Sequence, residues 1–384
     1  MGTTQPKLYA NGGFDVEHKI DPDLFTDSYT ALNEAVDRAV KLSVKWGKPD
    51  KGFIRELKRN NAVFAAFKAH REQNDLAGLL VDDDGNARSF DSFRRAAAPV
   101  IGEYNVNWLQ TEYATAVRVA RTAVRFKQYE KDGDLYPNAE WLPSRAAEPR
   151  MSHRKYYHTV RRLTDPWWET HYPGCVWGCQ CDMRNTDRPI THIGDNPAAP
   201  GAEPTTVPPS EEAGVRSPGL SRNPARSGEL FSRDHPYFTS AYPGAEKAVE
   251  GFVEKKENES ARKELSDWYT KNLPEAKAGK FKAKRFEINT PGDKTKTYIN
   301  RRFYEEVSSK YKNDKQYNLR LELAREAHLL FPKAHFVRTE ESQHHKDALY
   351  FDVYEYADKD RGLVIEFKRK VNKDGGFLHF MRIK

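Results

Sequence analysis

Leu109-Gln-Thr-Glu-Tyr-Ala-Thr-Ala-Val-Arg-Val-Ala-Arg121 is the stretch that sets the fold class of the front half of this chain. Read on to Glu130, it places Leu109, Tyr113, Val117, Ala120 and Val124 three or four residues apart, as one buried stripe of a helix. Arg118, Arg121 and Arg125 are left for the opposite face. The spacing predicts a helix over 107–130, ended by Asp132-Gly133-Asp134. The same period recurs upstream, at Leu32, Val36, Val40 and Val44 in 31–46, and at Val63, Phe64 and Phe67 in 62–80. The first 130 residues therefore read as helical.

Periodicity then fades. Residues 135–190 scatter aromatics and prolines and predict a loop-rich segment that needs something besides an apolar core to hold it. All three cysteines fall here, at Cys175, Cys179 and Cys181, with His153, His158 and His171 upstream. An odd number of thiols in seven positions argues against a disulfide scaffold and for a reduced compartment or a metal knot. A structural zinc held by His153, Cys175, Cys179 and Cys181 is the expected site, with His158 or His171 as substitutes for Cys175. The opposing reading is three reduced thiols packed beside Trp167, Trp168 and Trp177.

Beyond Ile193 the composition changes again. Pro197, Pro200, Pro204, Pro208, Pro209, Pro218 and Pro224 stand among Gly, Ser, Glu and Ala, so 193–230 reads as a tether. After it, 245–272, 301–311 and 317–330 carry helical patterns and 281–289 a strand. Four alternating runs follow, at 334–338, 349–356, 363–369 and 377–383, separated by Asp/Lys/Gly turns, which is an antiparallel meander. The fold class is α+β, in three parts: a helical domain over 1–192 with its Cys/His segment at 145–185, the tether, and a basic module over 245–384.

With 384 residues, two or three domains are expected at about 150 residues each. No run approaches eighteen apolar residues, and Met1 to Ala10 lacks an apolar h-region, which points away from a spanning helix, a cleaved secretory signal or a membrane partner. Residues 261–384 hold 28 Lys+Arg against 19 Asp+Glu, a balance suited to a polyanionic partner. A merely solvated surface has the same balance.

Four stretches together resemble the Mu F-like head morphogenesis proteins of tailed phages and prophages. They are 109–121, Arg150-Met-Ser-His153, Pro166-Trp-Trp-Glu-Thr-His-Tyr-Pro-Gly174 and Trp177-Gly-Cys-Gln-Cys181, spanning about residues 100–185. The resemblance implies a minor head protein: a low-copy virion component near the portal that assists head assembly and handles packaged DNA. It implies portal and capsid proteins as partners, and the virion, with host cytoplasm during assembly, as location.

Helices followed by a meander are similar to nucleases of the barnase, colicin D and RelE type, a resemblance that rests on 350–383 and on architecture. A metal-independent ribonuclease needs an acid/base pair and a cation on a sheet face. His344, His345 and Lys346 form one candidate cluster, and His379 with Arg382 another; His328, Arg338 and Thr339 are further candidates. Asp352 followed by Glu366 and Lys368 has instead the order of a restriction-type metal nuclease. Three functions remain open for the basic module: an endoribonuclease effector, a toxin-like nuclease for which the front part is a delivery domain, and a DNA- or capsid-binding tail without chemistry.

Overall fold

The computed structural model describes residues 9, 14–43, 50–191, 216–273, 285–310, 316–341, 348–359, 361–373 and 375–384. The chain divides into two compact units, Met1–Val253 and Glu254–Lys384.

Four long helices build the first unit: α1 Pro22–Ser43, α2 Lys51–Gly78, α3 Phe90–Gly102 and α4 Leu109–Lys131. Side-chain caps start three of them. Asp21 accepts from the Asp23 and Leu24 amides, Asp50 from Phe53 and Ser89 from Ser92, each satisfying a donor that has no partner within the helix. Small residues let α1 and α4 pack closely: Ala35, Val36 and Ala39 on one side, Ala116, Val119, Ala120 and Ala123 on the other, all buried. The stripe expected on α4 is thus rotated by about one residue, so Arg125 does not face solvent but lies buried. Its guanidinium ion-pairs with Asp182 and donates to the Met183 carbonyl at 2.6 Å. Between α3 and α4, Glu103–Trp108 forms a π turn.

After α4 comes a small antiparallel sheet in the order β2-β1-β3, from β1 Asn138–Leu142, β2 Val160–Arg162 and β3 Asp182–Thr186. Only loops were expected here. The strands are three to five residues long, and β1 has no alternation to read because Asn138, Ala139, Glu140 and Trp141 are all buried.

The tether is shorter than composition suggested. Residues 193–215 lie outside the described residues, but from Arg216 the chain packs into the first unit. Leu220, Ala225, Leu230 and Phe231 are core residues, and the Phe231 ring stacks on Phe64 at 4.0 Å. Two short helices, α5 Pro224–Ser227 and α6 Pro236–Thr239, follow, and the division between units falls inside α7 Ala245–Asn272.

The second unit contains α8 Arg301–Ser309, α9 Tyr317–Leu330 and a six-stranded sheet in the order β4-β5-β9-β8-β7-β6. Its strands are β4 Phe286–Asn289, β5 Lys296–Ile299, β6 His335–Glu341, β7 Tyr350–Asp358, β8 Leu363–Asn372 and β9 Gly375–Ile383. β6 to β9 form the expected meander. The sequence pattern did not reveal β5, four residues long, which joins β9 in parallel. Phe303, Tyr304, Val307, Leu321, Leu323 and Phe331 from the helical side bury the sheet residues Ile365, Phe367, Leu378 and Met381.

Candidate metal centre

The small sheet brings the Cys/His segment together. Trp141 on β1 pairs with Met183 on β3, which places Cys181, one residue before β3, next to the start of that strand. His153 lies on a single helical turn, Met151–Arg154, between β1 and β2, and its ring meets Trp141 edge-on at 5.5 Å. Gly174 and Gly178 take positive φ of 118° and 74°, letting the chain reverse on either side of Cys175 and present Cys179 inward. A side chain at Gly174 would also press Val119 of α4, at 3.1 Å. Arg118 of α4 donates to the Cys179 carbonyl at 3.2 Å, so the knuckle is tied to the long helices.

His153, Cys179 and Cys181 offer ligand atoms within 4.8 Å of one another. Nδ1 of His153 is 3.5 Å from Cys179 Sγ and 3.7 Å from Cys181 Sγ. A tetrahedral zinc with bonds of about 2.3 Å to sulfur and about 2.05 Å to nitrogen sets the N···S edge near 3.6 Å, so this spacing suits such an ion. Cys175 does not join the group. Its Sγ is 3.9 Å from Nε2, the other ring nitrogen, and one imidazole gives a single nitrogen to a given ion. The expected four-ligand set thus resolves into three converging donors and a buried thiol against the far side of the ring. The fallback histidines are engaged elsewhere. His158 Nδ1 is 2.8 Å from the buried Glu140 carboxylate, and His171 stacks on Trp167 at 4.8 Å.

The three groups perturb one another strongly. Burial alone would depress His153, but its contacts with Cys175 and Cys179 outweigh that and hold it up at about 10. The Cys181 contact and the imidazolium bring Cys179 down to about 4 against its burial, and the same contact pushes Cys181 up. Ligation would require Nδ1 of His153 and both thiols to give up their protons.

The nuclease candidates lie on the second unit's sheet. Asp352 and Glu366 are not brought together. Asp352 pairs in register with Arg369 and Glu366 with Glu355; because 352 and 355 differ by an odd number, the two carboxylates face opposite sides. Asp352 is bound by Arg369 at 3.0 Å and by Thr339 at 2.8 Å. Glu366 is bound by Arg382 at 2.8 Å, which leaves Arg382 in an ion pair and not beside His379. Lys368 shares the Glu366 face, as the period-2 spacing predicts, but pairs with Glu340 at 2.6 Å. Arg338 pairs with that same carboxylate. His328 stacks on Phe286 at 4.6 Å among packed rings. His344, His345 and Lys346 lie outside the described residues. His379 sits at a β-bulge: Lys368 pairs with Phe380 and Arg369 with Leu378, so His379 is the extra residue, lining a cleft with Arg302 and Lys370. A strand bulge leaves no mark on hydrophobic periodicity, which is why neither Arg302 nor Lys370 was a candidate from sequence.

Two curated relatives match part of the chain. It is 32% identical over 108 residues to capsid assembly protein F of Escherichia phage Mu. That match takes in 28% of this chain and 22% of the relative. That match supports a resemblance to the Mu F-like proteins over part of this chain. It is also 29% identical over 104 residues to the Mu-like prophage FluMu F protein of Haemophilus influenzae, 27% of this chain and 22% of the relative. The chain thus matches about a fifth of each relative's length. No family model and no solved structure matches it. The names bear out a resemblance to phage capsid assembly proteins, and no described helix is long and apolar enough to cross a membrane.

Proposed function

We propose that this chain is a minor head protein of a phage or prophage: a low-copy, portal-proximal virion component that contacts portal and capsid proteins and assists head assembly and DNA packaging. The observation that carries this reading is the 32% identity over 108 residues to a phage capsid assembly protein, and the convergence of His153, Cys179 and Cys181 accompanies it. In this reading zinc binds His153 Nδ1 and the two thiolates, while Cys175 accepts from the Nε2–H and fixes the ring. The ion supplies cross-linking stability between β3, the His153 turn and the knuckle that short strands cannot supply. The three donors are soft, with His153 and Cys179 buried and Cys181 half-buried, which suits a structural ion whose fourth position a further group completes.

The test is a lysogen or reconstituted head operon in which the gene is deleted or replaced by the Cys179→Ser/Cys181→Ser form. Quantitative mass spectrometry of purified heads should find the wild-type chain at a few copies per portal ring, with filled heads scarce in both altered strains. A normal yield of filled heads without the gene product would end the proposal.

The second unit carries the finer part of the reading, an RNA-cleaving effector, favoured by a cleft that joins an imidazole to two cations. Full-length protein incubated with total tRNA, with and without EDTA, separates the alternatives. EDTA-resistant cleavage supports His379 chemistry. Intact RNA with salt-sensitive binding supports a gripping tail.

A further inference from the structure

One row of the second unit's sheet combines aromatic rings with a lysine. In register, Phe351 on β7 pairs with Lys370 on β8, Lys370 with Phe377 on β9, and Phe377 with Tyr298 on β5. Directly paired residues project from the same side of a sheet, so aromatic, lysine, aromatic and aromatic form a line across four neighbouring strands. The line continues outward, because the Arg285 guanidinium lies 3.6 Å above the Tyr298 ring. Phe377 and Tyr298 rings are 5.6 Å apart. At the middle of the row the bulge at His379 sets its ring 5.5 Å from Phe351. Asn300, Arg302 and Phe303 at the start of α8, with Asn372, close a cleft around Lys370 and His379, of about 150 Å³ and open on one side.

Size and lining limit what enters. A drug-sized ligand fills about 300 Å³ or more, so this cleft takes one small group while the rest of the ligand lies outside along the sheet. Two cations, two amides and an imidazole select an anion with several acceptor oxygens. Lys370 is 7% exposed, and its charge is worth more in that setting than a surface lysine's. Glu306 lies in electrostatic reach of both His379 and Arg302. Burial acts against its ionisation, but a 3.1 Å contact with Lys310 outweighs that and keeps the carboxyl lower than usual. Lys310 thus offsets the Glu306 charge that would repel an incoming anion. Flanking rings at successive strand positions match the spacing logic of single-stranded nucleic-acid grooves, where bases stack on aromatics and a cation tracks the backbone.

We propose that this cleft is a phosphate-ester site for single-stranded RNA, with Lys370 and Arg302 holding one phosphate and Phe377 and Tyr298 stacking the adjoining base. The proposal deepens the effector reading above and rests on it for the choice of RNA.

Isothermal titration of the full-length chain with uridine 3′-monophosphate, at fixed salt, tests the site. Lys370→Gln and Arg302→Gln should each weaken binding by about tenfold or more, as expected for loss of a charge-assisted contact. Lys384→Gln, which removes an exposed charge paired with Glu355 on the same sheet, should leave it unchanged. Tyr298→Ala should weaken the nucleotide but not inorganic phosphate. Absence of saturable binding, equal losses in all three charge variants, or phosphate binding as tightly as the nucleotide would overturn the proposal. Arg302 is exposed, so its variant decides the matter if Lys370→Gln misfolds. Cleavage of tRNA is read separately. Nucleotide binding with intact RNA rejects the effector reading and keeps the site, whereas cleavage unaffected by Lys370→Gln and Arg302→Gln rejects the site and keeps the effector.

Discussion

Lys68 on α2 and Glu112 on α4 form an ion pair of 2.6 Å with side chains only 1% and 4% exposed, and Tyr237 donates to the same carboxylate at 2.9 Å. Lys68→Met removes the cation and keeps the methylene packing. Burial already pushes the Glu112 carboxyl up, with Lys68 the main opposing influence, so removing Lys68 pushes it up further. In the unfolded chain that carboxyl has its ordinary value of 4.5. The folded value is then raised, so stability is lost as pH rises above 4.5. Leaving one partner of a buried pair costs about 3–5 kcal/mol, and this deficit should grow as pH rises through the range in which the carboxyl ionises. The assay is urea unfolding followed by tryptophan fluorescence, which reports the first unit because Trp268 is the only tryptophan beyond it. Lys68→Met should be closest to wild type in acid and fall progressively further below it as pH rises, while Lys68→Met/Glu112→Gln should lose the carboxyl's pH dependence altogether. A Lys68→Met deficit equal at pH 5 and pH 8 would refute the reasoning.

Two further outcomes concern the loop that caps α6. His235 is held down at about 4, chiefly by burial, and its Nδ1 accepts from the Tyr237 amide. Its folded value lies below the ordinary 6.5, so stability should fall by up to about 3 kcal/mol as pH drops from 6.5 to 4, a loss that His235→Gln should abolish in acid-titrated melts. Gly219 has φ +86°, and an added Cβ would fall 2.5 Å from His235 Cδ2. Gly219→Ala should therefore cost about 2 kcal/mol or more by urea unfolding, and a cost below about 0.5 would show that the loop yields.

Much of the fold was legible because burial follows simple periods. Leu32 and Val36 mark α1 three to four residues apart, and alternation in 350–356 marks β7. The small sheet was not legible because Glu140 and Trp141, adjacent in sequence, are both buried: Glu140 is paired with Arg184 and Arg188, and Trp141 is packed on His153. Nor was the near end of the tether, where a few anchors such as Phe231 sit in a Pro/Ser composition that averages to disorder. At the metal centre the residue types were readable, because sulfur and imidazole are scarce and clustered. Which nitrogen each thiol meets depends on ring orientation, so the separation of Cys175 from the other three was not. In the second unit, Lys370 and Arg302 became visible only through register and the bulge at His379.

Zinc content of the full-length chain, purified under reducing conditions and measured by plasma mass spectrometry, is the most direct test of the account. One ion per chain is predicted for the wild type and for Cys175→Ser, with loss of the ion and new protease cleavage within 145–185 for Cys179→Ser, Cys181→Ser and His153→Ala. A metal-free wild-type protein with that segment equally resistant to protease would contradict it.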